Sequence, residues 1–413
     1  MIYGDSHPPL SRLGPRPDRV RAVLARSIMS SGTALRRTAT VAALAALALA
    51  GCGSSDHSTS APTTAGRSPL PARAASQTRQ RSAENVYFAD GAGDLSPAVR
   101  GDPALVYVPN SLSDTVDVIS QKSMKVVEQF TTGALPQHVT PSYDLNTLYV
   151  DNDVGNSLTP IDPRSGRPGT PIPVEDPYNL YFTPDGRYAI VVAERLQRLD
   201  FRDPRTMALV HSLSTPACLG IDHMDFSADG RVAYASCEFS GRMVEIDLAH
   251  QRVIHTLVLD GGMASPQDVK LAPDGKTVYV ADQENGGLWE IDARTFRKVG
   301  FLPTGAGAHG LYPSRDAIVL YVSNRSAGTV SVVSFARRRV IATWHIGGSP
   351  DMGGVSASGD VLWLSGRYDG AVYAIDTRTG KLLRRIVVGN GPHGLSFFPQ
   401  PGRYSLGHTG IMR

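Results

Sequence analysis

The chain has little of what many protein classes require. Three cysteines in 413 residues are too few for a scaffold built from disulfides. The most apolar run, Val41 to Ala50, is half of the ~20 residues that a membrane-spanning helix needs. No stretch sustains a 3.6-residue hydrophobic period, which excludes helices as the main element. There is no Gly-x-Ser-x-Gly elbow, phosphate-binding glycine loop, Cys-x-x-Cys-His haem attachment or His-Glu-x-x-His helix, so the common hydrolase, nucleotide, cytochrome and metalloprotease signatures are all missing. Asp90 to Asp94 has too few ligand positions for a calcium loop and reads as a turn. No broad basic stripe exists, which removes nucleic acid as a partner. What the chain does have is apolar mass, 41% of residues, and an excess of Gly and Pro, 41 and 29 residues, which favours many turns and short strands.

The N-terminal region reads as an address. Val41 to Ala50 is VAALAALALA, preceded by Arg36-Arg37 and followed by Gly51-Cys52. Ten apolar residues behind basic ones form a signal-peptide core. Leu49-Ala50-Gly51-Cys52 resembles the lipobox of bacterial lipoproteins, which implies lipidation of Cys52 after removal of residues 1–51. Met29 opens a leader of ordinary length and is the expected start. Residues 52–83 are rich in Ser, Thr, Pro and Ala and cannot recover their ordering entropy by burial, so they read as a disordered tether, followed by a lead-in over 84–103. The leader holds seven Arg and two Asp; subtracting its +5 from the chain's +3 leaves −2 from Cys52 onward. The apparent basicity therefore belongs to the leader.

From residue 104 onward one unit returns every ~42 residues, the period of propeller blades. Its clearest mark is an apolar-aromatic start at Tyr107, Tyr149, Ile190, Tyr234, Tyr279, Tyr321 and Trp363, with intervals of 42, 41, 44, 45, 42 and 42 residues. Each unit also holds a tight turn such as Asp185-Gly186, Asp229-Gly230 or Asp274-Gly275, where Gly accepts positive φ and Asp bonds its own backbone. Four strands of period two per unit predict an all-β, seven-bladed β-propeller of four-stranded antiparallel blades over residues 104–402. The first unit lacks an innermost strand while Gly394 to Phe398 is one without followers. The C-terminal strand should therefore complete the first blade, leaving 403–413 as a short tail.

Tyr321-Val322-Ser323-Asn324 with Thr329 to Val333, and Ala371 to Asp376, resemble the repeat of the YVTN (YncE-like) family of seven-bladed β-propellers; Leu158 to Asp162 and Leu199 to Phe201 depart from it. The resemblance covers about residues 104–400 and implies the fold; it implies no particular chemistry.

One position falls in register before each innermost strand: His138, Asn179, His223, Asp268, His309, Asp351 and His393. For His309 and Asp351 the following strand starts one residue late, so Gly310 and Met352 compete for those places. Propeller geometry puts the seven around one channel mouth, with the loops at Asn110, Asn152, Glu238, Asp282, Asn324 and Arg367. Such a ring has three uses: it solvates the mouth, it binds an organic ligand or substrate, or it holds a divalent metal through His223, His309, His393 and Asp268. Against the metal stands an expected separation of ~10 Å or more across a seven-fold ring, when metal–nitrogen bonds are ~2 Å. Cys218 and Cys237 share one unit and, once Cys52 is lipidated, have only each other. A disulfide is expected, with two free thiols or a Cys–Cys–His site including His223 as the alternatives.

The sequence thus describes a monomeric propeller exported to the outer face of a bacterial membrane, held there by its lipid, and offering its channel mouth to a small molecule or a protein. No cofactor is established, and catalysis stays open: a lactonase- or lyase-like or redox propeller enzyme and a metal-handling protein are the alternatives. If Cys52 is the anchor, Cys52→Ala moves the protein from the membrane fraction to the soluble fraction; a variant that still partitions into membranes contradicts the lipobox.

Overall fold

A computed structural model describes residues 85–408 and 410–413. The leader 1–51, Cys52 and the tether 52–83 lie outside the described residues. Seven blades follow one another along the chain, each of four antiparallel strands. Blade 6 shows the order from the axis outward: Ala308–Pro313, Val319–Asn324, Thr329–Ser334 and Arg339–His345. Its two central strands are buried on both faces while the outermost alternates toward solvent, as expected for sheets stacked on neighbours. The turns are those the sequence demanded: Gly186, Gly230 and Gly275 have φ of 68, 69 and 70°.

Ring closure is as expected. Ser396–Phe398 is the innermost strand of blade 1 and pairs antiparallel with Leu105, Val106 and Tyr107. The last residues extend this arrangement. Ser405–Gly407 and Ile411–Met412 form a small hairpin whose Gly407 pairs with Tyr181 on the innermost strand of blade 3. Arg413 then reaches buried Asp225 at 2.7 Å and lies over the ring of Tyr87 from the lead-in. The short tail is therefore a packed element.

The family's Tyr-Val-x-Asn pattern has a physical reason. The Asn ends the second strand and closes the turn behind it. In blade 6, Asn324 Nδ2 donates to Thr329 Oγ1 and Ser331 Oγ, both at 3.0 Å, and its Oδ1 accepts from Thr304 Oγ1 at 3.0 Å. Asn152 does the same in blade 2, and in blade 1 Asn110 Nδ2 donates to Thr115 Oγ1 and Asp117 Oδ2. A glycine must sit opposite: a Cβ on Gly305 would stand 2.8 Å from Asn324 Cγ. Asn324→Ala should cost about 2–3 kcal/mol, because it strands buried hydroxyls. Chemical denaturation checks this, and a loss below about 0.5 kcal/mol would contradict the assigned role.

Candidate functional site

The innermost strands deliver the site through a repeated irregularity. In blades 2, 4, 5, 6 and 7 the register against the second strand slips by one, so two residues oppose one. Such a bulge turns successive side chains toward one side instead of alternating them. The pairs are Gln137-His138, Asp222-His223, Gln267-Asp268, His309-Gly310 and Asp351-Met352. A serine on the second strand holds several of them: Ser236 Oγ accepts from His223 N at 3.0 Å and donates to its carbonyl at 3.1 Å, and Ser323 and Ser365 do likewise for Gly310 and Met352. The one-residue offset in the sequence thus has a structural meaning. His138, His223 and Asp268 are second in their bulges, while His309 and Asp351 are first.

These residues do not line a solvated mouth, as the sequence suggested. His138, Asn179, His223, Asp268 and Asp351 are fully buried, and His309 and His393 are 2% and 3% exposed. Nor are they kept ~10 Å apart. His138 lies 5.5 Å from His223 and 4.9 Å from His393 between ring centroids, and His309 lies 6.2 Å from His223 and 6.0 Å from His393. The bulges push the side chains inward until they fill the axis. A fifth imidazole, His408 from the C-terminal hairpin, sits 4.5 Å from His223 and 5.3 Å from His138. It lies beyond the last repeat, so no periodicity in the sequence could mark it.

Two groups emerge, and neither is the metal set expected from the sequence. In the first, Asp351 is the hub. Its Oδ1 accepts from Arg325 Nε and Nη2 at 2.8 and 2.5 Å and lies 3.2 Å from His309 Nδ1, while Oδ2 accepts from His393 Nδ1 at 2.8 Å. Burial by itself would raise its pKa, but Arg325, then His309 and Arg367, hold the carboxyl below its usual range. His393 is thereby committed to Asp351, while His309 Nδ1 meets Met352 Sδ at 3.0 Å beside the same carboxylate. Asp268 is committed elsewhere: its oxygens accept the backbone N–H groups of Val269 and Leu311, both at 2.8 Å, tying blade 5 to blade 6.

The second group is His138, His223 and His408. Each offers a nitrogen within 4.8 Å of the others, so this cluster could hold a metal ion. Burial pushes the His138 pKa down to about 4 and lowers those of His223 and His408 well below the usual value, so all three are neutral at pH 7. Cys218 and Cys237 stand apart from both groups, joined as a disulfide with Cα atoms 4.9 Å apart.

A second ring is built by residues the sequence analysis passed over, the one after each second strand; three of them, Ser111, Asp153 and Arg325, are buried and the other four half-buried. In blades 1 to 7 these are Ser111, Asp153, Glu194, Glu238, Gln283, Arg325 and Arg367. Their spacing repeats with the blades, so they were legible in the sequence, although only Glu238 and Arg367 figured there as loop residues. The ring is divided by charge. Acidic groups occupy blades 2 to 4, and guanidinium groups occupy blades 6 and 7 on the opposite side. Burial, then Glu238, raises the Glu194 pKa well above its usual value; burial raises that of Glu238 against the pull of Gln267, Arg325 and Arg367. Beneath them burial, then Glu238 and Glu194, raises buried Asp222 as well. Arg367 donates to Ser111 Oγ at 3.0 Å, and Arg325 donates to Gln283 Oε1 at 2.9 Å.

A closed seven-bladed ring around buried imidazoles, opening to solvent through a charge-divided rim, defines a propeller with an axial polar site. The YNCE-like β-propeller family matches over residues 94–401, and the chain belongs to that family. A comparison with curated protein sequences finds no match. Solved structures with the same fold include hydrazine synthase of Kuenenia stuttgartiensis (TM-score 0.59, 20% identity, covering 70% of this chain and 98% of that one). A putative 6-phosphogluconolactonase from Bacteroides uniformis is also similar (TM-score 0.58, 16% identity, 72% and 100% covered), as is a dihydro-haem d1 dehydrogenase (TM-score 0.54, 14% identity, 73% and 75% covered). At these identities the likeness is one of fold.

His309 supplies a pH test. Burial, then Arg325, lowers its pKa well below 6.5 against the opposing pull of Asp351, with His393 and His223 as further neighbours. A folded pKa below the unfolded one means that the unfolded chain takes up the proton first as pH falls, so this imidazole's contribution is lost on acidification below about pH 6.5. The stability gap between wild type and His309→Gln should therefore narrow from pH 7.5 to 5.5 in denaturant titrations. A widening gap would mean that the imidazole is charged in the fold.

Proposed function

We propose that the protein is an exported, lipid-tethered propeller that binds a small dipolar molecule at its axial rim. The observation that carries this reading is the divided ring, with Glu194 and Glu238 facing Arg325 and Arg367 across the opening. Among the described residues neither glutamate makes a close ion pair; Arg195 acts on Glu194 and Arg325 and Arg367 on Glu238 at longer range, and burial leaves both carboxyls costly to ionise without a nearer cation. An ammonium or guanidinium end would neutralise them, and a carboxylate or phosphate end would meet Arg367, whose planar fork suits such anions. The Cys52 anchor and the tether support presentation of this rim at a membrane surface, and a net charge of −2 beyond the leader argues against nucleic acid as the ligand.

A catalytic reading has one observation in its favour. Asp222 and Glu194 are carboxyls whose raised pKa suits proton transfer near neutral pH, and a structural neighbour is described as a putative lactonase. Opening of a lactone panel by wild type, lost in Asp222→Asn, would favour it over plain binding.

For the binding reading, zwitterionic metabolites should raise the melting temperature where singly charged analogues do not. Arg367→Ala and Glu238→Gln should each weaken the response roughly tenfold or more. Equal responses from wild type and both variants would exclude the rim as the binding site.

A further inference from the structure

We propose that His138, His223 and His408 form a transition-metal site on the propeller axis, below the rim and independent of the ligand bound there. The three come from blade 2, blade 4 and the C-terminal hairpin, and the fold brings one nitrogen of each within 4.8 Å of the others. The Nε2 atoms of all three are buried and have no hydrogen-bond partner. An orphaned buried nitrogen costs about 1–3 kcal/mol, a cost that a bound ion removes. His408 Nε2 also stands 3.5 Å from Asp268 Oδ1, beyond hydrogen-bond geometry. Asp222 is also at hand. Its Oδ1 lies 3.1 Å from His223 Nε2, and Tyr178 is a further polar neighbour of its carboxyl. Three imidazoles are a donor set for Zn²⁺, Ni²⁺ or Cu²⁺ and a poor one for Ca²⁺ or Mg²⁺, which take all-oxygen shells; Asp222 stands beside one of the three.

Of the other ring nitrogens, that of His138 is held as a metal-ligating histidine requires, and those of His223 and His408 share one side chain. His138 Nδ1 donates to the Tyr178 carbonyl at 2.9 Å, which leaves the lone pair on Nε2. His223 Nδ1 and His408 Nδ1 both meet the Asn179 side-chain amide, at 3.0 and 3.1 Å. Asn179 presents its nitrogen to both, while its oxygen accepts from Leu180 N at 3.0 Å. This arrangement places the protons of His223 and His408 on Nε2. Metal uptake therefore moves each of these protons to Nδ1 and turns the amide so that Oδ1 accepts both. Asn179 is thus a positioning residue that sets the tautomers of two ligands.

The hairpin that carries the third ligand is built to reach the axis. His408 is flanked by Gly407 and Gly410, with φ of 102 and 95°, conformations that suit glycine. Its N–H donates to the Leu180 carbonyl at 2.8 Å, and its ring stacks on Tyr181 with centroids 5.6 Å apart. An ion bound here would tie the C-terminus to blades 2 and 4.

The test uses the full-length chain without a polyhistidine tag, stripped with chelator, titrated with Zn²⁺ by calorimetry and with Co²⁺ by visible absorption. One equivalent should bind, with the intense ligand-field bands of four-coordinate Co²⁺, and Zn²⁺ should raise the melting temperature. His223→Gln and His408→Gln should each weaken Zn²⁺ binding ~100-fold, whereas His309→Gln, whose Nδ1 faces Met352 Sδ and Asp351, should leave it unchanged. Asn179→Asp should tighten it roughly tenfold, since a carboxylate accepts both Nδ1 protons without turning. This last gain is not expected of a residue that merely packs, and it keeps the test decisive if a ligand variant folds poorly. Wild type that takes up no stoichiometric Zn²⁺, or an undiminished affinity in His408→Gln, overturns the site. Neither outcome bears on the rim, which Arg367→Ala and Glu238→Gln test separately.

Discussion

Three residue pairs hold the ring shut. Leu105, Val106 and Tyr107 meet Phe398, Phe397 and Ser396, and this short ladder joins the beginning of the propeller to its end. An open array of seven sheets would leave two unpaired edges and no fixed axis. Closure sets the radius, and the radius decides whether residues from non-adjacent blades can touch. Because the inner strands also bulge, the central space is filled with side chains, and the imidazoles of blades 1, 2, 4 and 6 meet one another there.

Filling an axis with polar groups requires that each be neutral or matched. The structure uses both solutions side by side. Asp351 stays charged because Arg325 shares its oxygen and two imidazoles face it. His138, His223 and His408 take the other course and are neutral. The rim above repeats the contrast with its charges separated, acids on one side and guanidiniums on the other. Burial raises the pKa of Glu194 and Glu238 despite Arg195, Arg325 and Arg367 nearby, so the rim, like the axis, holds carboxyls that are costly to ionise.

The fold was legible because repetition amplifies a weak signal. One apolar-aromatic strand start says little, but seven at a near-constant interval leave few architectures, and the missing inner strand even showed how the ring closes. The site was half legible. The register picked out one position per blade, which the structure places inside the innermost strands of blades 2 to 7 and not before them; it could not show that a bulge sets two residues against one, nor that Asp268 would be taken up by the N–H groups of Val269 and Leu311. The rim was equally periodic and was overlooked because Asn110, Asn152 and Asn324 beside it carry the stronger motif.

The amino-acid order alone determined the blade count, the turns, the closing strand and the polar character of the axis, since all of these are local patterns repeated along the chain. Tertiary structure decided which of those polar residues meet. His408 joins His138 and His223 only because the last eleven residues fold back beneath blade 3, and Arg325 claims Asp351 only because blades 6 and 7 are neighbours. Contacts between residues far apart in sequence depend on radius, bulge and hairpin together, and none of these is written at any single position.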